Sequence, residues 1–137
     1  MAKKDPLEYY LYQSLEMNEY ALKHLKKCLR KKDNFIKKDI DLEIQSLKQM
    51  RQSLKAHPKQ SFLSHYMVKK GIEKEVKKDN SDASIAYMLI QGTRLGNQRF
   101  NQKYKALKSK SNPNICLIAQ DYSNFLLKEI ATFKRYI

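Results

Sequence analysis

Between Leu7 and Leu29 the apolar residues recur at helical spacing. At about 100° per residue, Leu7, Leu11, Ser14, Asn18, Leu22, Leu25 and Leu29 share one stripe, with Tyr10, Met17 and Cys28 along its edge. Most of this pattern returns 78 positions later, where Ile85 stands for Leu7, Met88 for Tyr10, Leu89 for Leu11, Gly92 for Ser14, Gly96 for Asn18, Phe100 for Leu22 and Leu107 for Leu29. A repeated amphipathic stripe predicts two similar helical halves.

The breaks between stripes place the remaining elements. Asp5-Pro6 supplies an N-cap and a proline at the first helical position, so the first helix runs from there to about Lys32. Its polar face carries Glu8, Glu16 and Glu19 early and Lys23, Lys26, Lys27 and Arg30 late, an order that complements the helix dipole. The connection Lys32-Asp33-Asn34 is short, so a second helix, about Phe35 to Ala56, is expected antiparallel to the first. Its core stripe is Ile36, Ile40, Glu43, Leu47, Met50 and Leu54. His57-Pro58 ends it, and residues 60–78 read as a crossover with a short third helix. In that crossover Phe62, Leu63, Tyr66, Met67, Ile72 and Val76 are expected to cover an end or edge of the bundle. Asn80-Ser81-Asp82 is a capping cluster before a long helix from Ala83 to about Ser109, in which Gly92 and Gly96 read as a close helix crossing. After Ser111-Asn112-Pro113-Asn114 the last helix, Ile115 to about Tyr136, carries Ile115, Ile118, Ala119, Tyr122, Leu126, Ile130 and Phe133 on one face. A shift of 79 sets Ile36 on Ile115, Leu47 on Leu126 and Glu43 on Tyr122. The expected fold is all-α: one domain, 1–137, an antiparallel four-helix bundle of two similar helical hairpins with a short extra helix in the crossover.

Charge changes the picture more than composition does. The 137 residues hold 28 Lys and Arg against 14 Asp and Glu, a net charge of +14. That exceeds the magnitude of about 2 to 8 that solubility requires, and it points to an acidic partner. Only Arg30, Arg51, Arg94, Arg99 and Arg135 are arginines, so phosphate contacts would be electrostatic rather than bidentate. Cys28 and Cys116 have neither metal nor disulfide spacing. The N-terminal residues lack the apolar core of a signal peptide, and no stretch reaches the roughly 18 apolar residues of a membrane span. A soluble, reduced, cytoplasmic protein is expected.

Two candidate sites follow. The first is a basic patch at the end of the first helix and the start of the second, formed by Lys23, Lys26, Lys27, Arg30, Lys31, Lys37 and Lys38. The second is a polar centre around Glu43, a carboxylate on an apolar stripe that must be paired, protonated or metal-bound. Tyr122 with Asn18 or Ser14 would supply its hydrogen bonds; the alternative is that it turns to an edge and pairs with Arg51 or a nearby Lys. Tyr9, Tyr12 and Tyr20 remain for an exposed aromatic patch, such as a homo-oligomer interface. No phosphate loop, nucleophile elbow or zinc motif occurs, and His24, His57 and His65 are scattered. No enzymatic activity, metal or other cofactor is expected.

Two related hairpins joined by a longer crossover resemble the ferritin-like four-helix bundle. The resemblance implies an inward Glu on each first helix and Glu-x-x-His on each second helix, holding a diiron site. Here the corresponding positions read Ser14 or Asn18, Gly92 or Gly96, Glu43-x-x-Ser46 and Tyr122-x-x-Phe125. One carboxylate remains and both histidines are missing, so the resemblance implies a degenerate member without the ligands. The expected function is a non-catalytic module that binds an acidic macromolecule, nucleic acid or protein. The alternatives are a structural or oligomerising bundle and a residual metal or redox protein.

Overall fold

The computed structural model describes residues 4–137. Its helices are α1 (Pro6–Cys28), α2 (Ile36–Gln52), α3 (Phe62–Lys78), α4 (Asp82–Leu107) and α5 (Pro113–Lys134), with a single 3-10 turn, Lys108–Lys110, before α5. No strand occurs among the described residues, and the architecture is a helical bundle.

Local chemistry sets the helix starts. Asp5 caps α1 by accepting from the N–H groups of Leu7 (3.0 Å) and Glu8 (3.1 Å), with Pro6 next. Ser61, Ser81 and Asn112 do the same for α3, α4 and α5. Three carboxylates also tie chain ends to other elements. Asp5 accepts from Ser111 Oγ (2.7 Å) and Asn112 N (2.9 Å); Glu8 accepts from the N–H groups of Lys55 (2.8 Å) and Ala56 (3.0 Å), just after α2. Asp82 receives Asn34 Nδ2 (2.8 Å) and Phe35 N (3.1 Å). The end of α2 therefore lies beside the start of α1, and the starts of α2 and α4 lie together.

α1 packs chiefly on α2, and α4 on α5. Between them lies one core, with Leu7, Leu22, Leu25, Leu47, Phe100 and Phe133 among its fully buried side chains. Leu7, Tyr12, Leu15 and Leu22 are buried, and so, 78 positions on, are Ile85, Ile90, Thr93 and Phe100. The stripe on α1 differs from its expected course in the middle. Leu15 and Glu19 are buried there, while Ser14 and Asn18 are half-buried. Glu19 thus leaves the solvent-facing side: it receives Arg51 Nε at 2.9 Å and Lys23 Nζ at 2.6 Å, which offset the cost of its burial.

The third helix is not short. α3 has 17 residues, as many as α2, yet none is buried. It leans on α1 through His65 and Glu16 (2.9 Å), His24 and Glu73 (3.1 Å) and a stack of His65 on Tyr20 (4.2 Å between centroids). Ile72 and Val76 reach the core, whereas Phe62, Leu63, Tyr66 and Met67 are exposed instead of covering an edge. The expected tyrosine patch does not form either. Tyr12 is buried edge-on to His57, Tyr20 is covered by His65, and Tyr9 is half-buried.

Candidate functional site

The basic candidate lies where α1 ends, α2 begins and α3 ends, since His24 reaches Glu73 and Asn34 reaches the Asn80 carbonyl (2.8 Å). The structure divides the seven predicted cations. Lys23 is held by Glu19 and Lys26 by Asp41 (2.6 Å). Lys37 Nζ donates to the carbonyls of Leu29 (3.2 Å) and Lys32, closing the end of α1. Those three serve the fold. Lys27, Arg30, Lys31 and Lys38 are exposed and make no ion pair among the described residues. Lys74 and Lys77 at the end of α3 are likewise exposed and unpaired, and they extend the same end of the bundle. The α3 contribution was not predicted, because it depends on α3 lying along α1.

The polar centre forms, but not as expected. Glu43 faces Glu129 of α5, not Tyr122. Tyr122 instead receives Asn18 Nδ2 (3.4 Å) and donates to the Ser14 carbonyl (3.4 Å), while the Ser14 hydroxyl turns back to the Tyr10 carbonyl. Glu129 is 1% exposed; its Oε1 accepts from Thr93 Oγ1 at 2.8 Å. Among the described residues the Oε2 atoms of Glu43 and Glu129 are both buried with no donor other than each other's carboxyl. Burial raises Glu43 to about 7, with the Asp39 charge one turn away adding to it. Burial raises Glu129 to about 8, and the neighbouring Glu43 charge pushes the same way. Asp39 itself is held outside the pair by Arg135 Nη2 (3.0 Å) and Tyr136 Oη (2.5 Å). Near neutral pH the two carboxyls therefore share protons, and no cation lies within ion-pair distance of either among the described residues.

Beside this centre is a cleft of about 610 Å³ between α1, α3 and α4, with Glu129, Tyr122 and Leu126 of α5 at its floor. Its walls are mainly apolar, from Met17, Leu22, Val68, Ile72, Met88 and Leu89. Gly92 and Gly96 line it, and a Cβ built at either meets nothing within 4 Å. They do not mark a close helix crossing; α3 stands off from α4 and leaves that space open. Gly92→Ala and Gly96→Ala should each stabilise the protein by about 0.5–1 kcal/mol, since mid-helix glycine is costly and here gains no contact. Thermal denaturation measures this, and a loss of stability would mean that the space is filled.

No family model, curated protein or solved structure matches this chain.

The centre offers two carboxylates, Glu43 and Glu129, whose positions three residues on are Ser46 and Thr132. α1 and α4 contribute Ser14, Asn18, Gly92 and Thr93. Among the described residues no group of three His, Cys, Asp or Glu side chains is placed to hold an ion. These residues do not fit a diiron centre. No helix among the described residues is long and apolar enough to cross a membrane.

Proposed function

We propose that this chain is a non-catalytic basic module that binds an acidic macromolecule, nucleic acid or acidic protein, through the end of the bundle where α1, α2 and α3 meet. The supporting observation is that Lys27, Arg30, Lys31 and Lys38, together with Lys74 and Lys77, are exposed there without partner carboxylates among the described residues. Lysine dominates, so the contacts are point charges on phosphates or carboxylates and carry little sequence information. In its architecture we infer a ferritin-like pair of related helical hairpins without the metal ligands. Support comes from the matching buried positions at an offset of 78 and from Glu43 meeting Glu129 between the second helix of each pair.

A mobility assay with duplex DNA or RNA at 50 and 200 mM salt tests the nucleic-acid arm. For about four phosphates neutralised, affinity should fall roughly a hundredfold between these conditions. A salt-independent shift, or none, would refute that arm, and binding of an acidic polypeptide would then be measured the same way. A second reading, self-association, is favoured by one observation: Phe62, Leu63, Tyr66 and Met67 form an exposed apolar face on α3. Mass in solution decides it; a dimer that Met67→Lys turns into a monomer would place the interface on that face.

A further inference from the structure

We propose that the cleft between α1, α3 and α4 is a binding site for a slender apolar molecule ending in a single ammonium group, which seats against Glu129. Three features carry this. The cleft is about 610 Å³, within the usual range of about 300–1,000 Å³ for small-molecule sites, and its walls are apolar with few polar groups. The floor holds Glu129, nearly inaccessible, and among the described residues its Oε2 and that of its neighbour Glu43 have no donor beyond the proton the two carboxyls share. An ammonium supplies three donors and a positive charge where the described residues place two carboxyls and no cation within ion-pair distance. Gly92 and Gly96 keep the space open at a cost to α4 and without a packing reason.

The surroundings narrow the ligand further. Groups facing Glu129 are Thr93 on α4, Asn18 on α1, Tyr122 on α5 and Glu43 on α2, with Asp39 behind Glu43. Among the described residues the only cation lining the cleft is Arg99, six residues and about 9 Å along α4 from Thr93, toward the end where α3 begins. Gln60 Nε2, buried without an acceptor, also lines the cleft just before α3. Arg99 and that amide disfavour a second ammonium at the far end. With a net charge of +14, the field of the protein repels small inorganic cations, so the apolar body must supply the attraction.

Calorimetry with n-octylamine, n-octanol and 1,8-diaminooctane tests this on the full chain. At pH 8 octylamine should bind at least tenfold tighter than octanol and tighter than the diamine. Its affinity should rise about tenfold from pH 5.5 to 8, because the carboxyls ionise while the amine, like a lysine, stays protonated. Proton release should accompany binding at pH 7. Glu129→Gln should reduce octylamine to the octanol level, and Gly96→Leu, which fills the cleft and leaves the carboxyls in place, should weaken both. Equal binding of the three compounds, pH-independent binding, retention of the amine preference in Glu129→Gln, or no binding at all would overturn the proposal. None of the basic-patch residues lines the cleft, so its failure leaves the polyanion reading untouched, and the reverse holds too.

Discussion

Raising the pH from 5.5 to 9 will destabilise the wild-type protein, and Glu129→Gln will remove most of that loss. In the folded state burial raises Glu129 to about 8 and Glu43 to about 7. In the unfolded chain both ionise near the ordinary glutamate value. Between the two values the folded protein holds protons that the unfolded chain has released, so stability declines as pH rises and levels off above about 8. For the deeply buried Glu129 the loss is on the order of 3 kcal/mol, or roughly 10 °C in Tm for a chain of this size. Glu43 contributes less because it is only half-buried. Glu129→Gln keeps an acceptor for Thr93 and carries no charge, so at pH 8.5 it should melt above the wild type, whereas at pH 5.5 the two should be close. A flat wild-type profile across this range would mean that the carboxyls are solvated.

Arg51→Met should cost about 2–4 kcal/mol at neutral pH. Glu19 is 4% exposed, and the hydrogen bond from Arg51 Nε is the main counterweight to its burial; the combined pull of Arg51 and Lys23 holds its carboxyl below the usual range despite burial. Removing Arg51 leaves a buried charge with only the half-exposed Lys23. The double substitution Glu19→Leu with Arg51→Met should recover most of that loss, because an apolar pair of similar size has no charge to desolvate. Urea denaturation of the two single variants and the double gives the coupling directly. Additive losses would show that Glu19 and Arg51 act independently.

Much of the fold was legible in the spacing of apolar residues, and the misses share a cause. Caps at Asp5 and Ser81 and the break at Ser111-Asn112-Pro113-Asn114 place helix starts to within about two residues, because their chemistry is local. The length of α3 is not legible in the sequence, since a helix with no buried residue leaves a weak stripe. Glu43 stands out in the sequence as a carboxylate among apolar neighbours, but neither partner set the sequence suggests, Tyr122 with Asn18 or Ser14, or Arg51 at the edge, is the one it meets. The signal for Glu129 was present: it sits three residues after Leu126 and four before Phe133, both core positions. A glutamate on that register falls on the buried side of the helix. Glu19 shows the complementary limit. On α1 alone it belongs with the polar residues, and only the approach of Arg51 from α2 makes its burial affordable. The cleft could not be read at all, because glycine spacing cannot tell a close crossing from an open wall.

The location of the charge, rather than its amount, is the centre of this account, and two variants of equal net charge test it. One carries Lys27, Arg30, Lys31 and Lys38 changed to Gln; the other carries Lys103, Lys105, Lys108 and Lys110 changed to Gln at the opposite end of the bundle. Affinity for duplex DNA or RNA is measured for both at 50 mM salt against the wild type. The first variant should lose at least tenfold in affinity and flatten its salt dependence, while the second stays within about threefold of the wild type. Equal losses in the two variants would contradict a localised binding end and leave only the bulk charge of the protein.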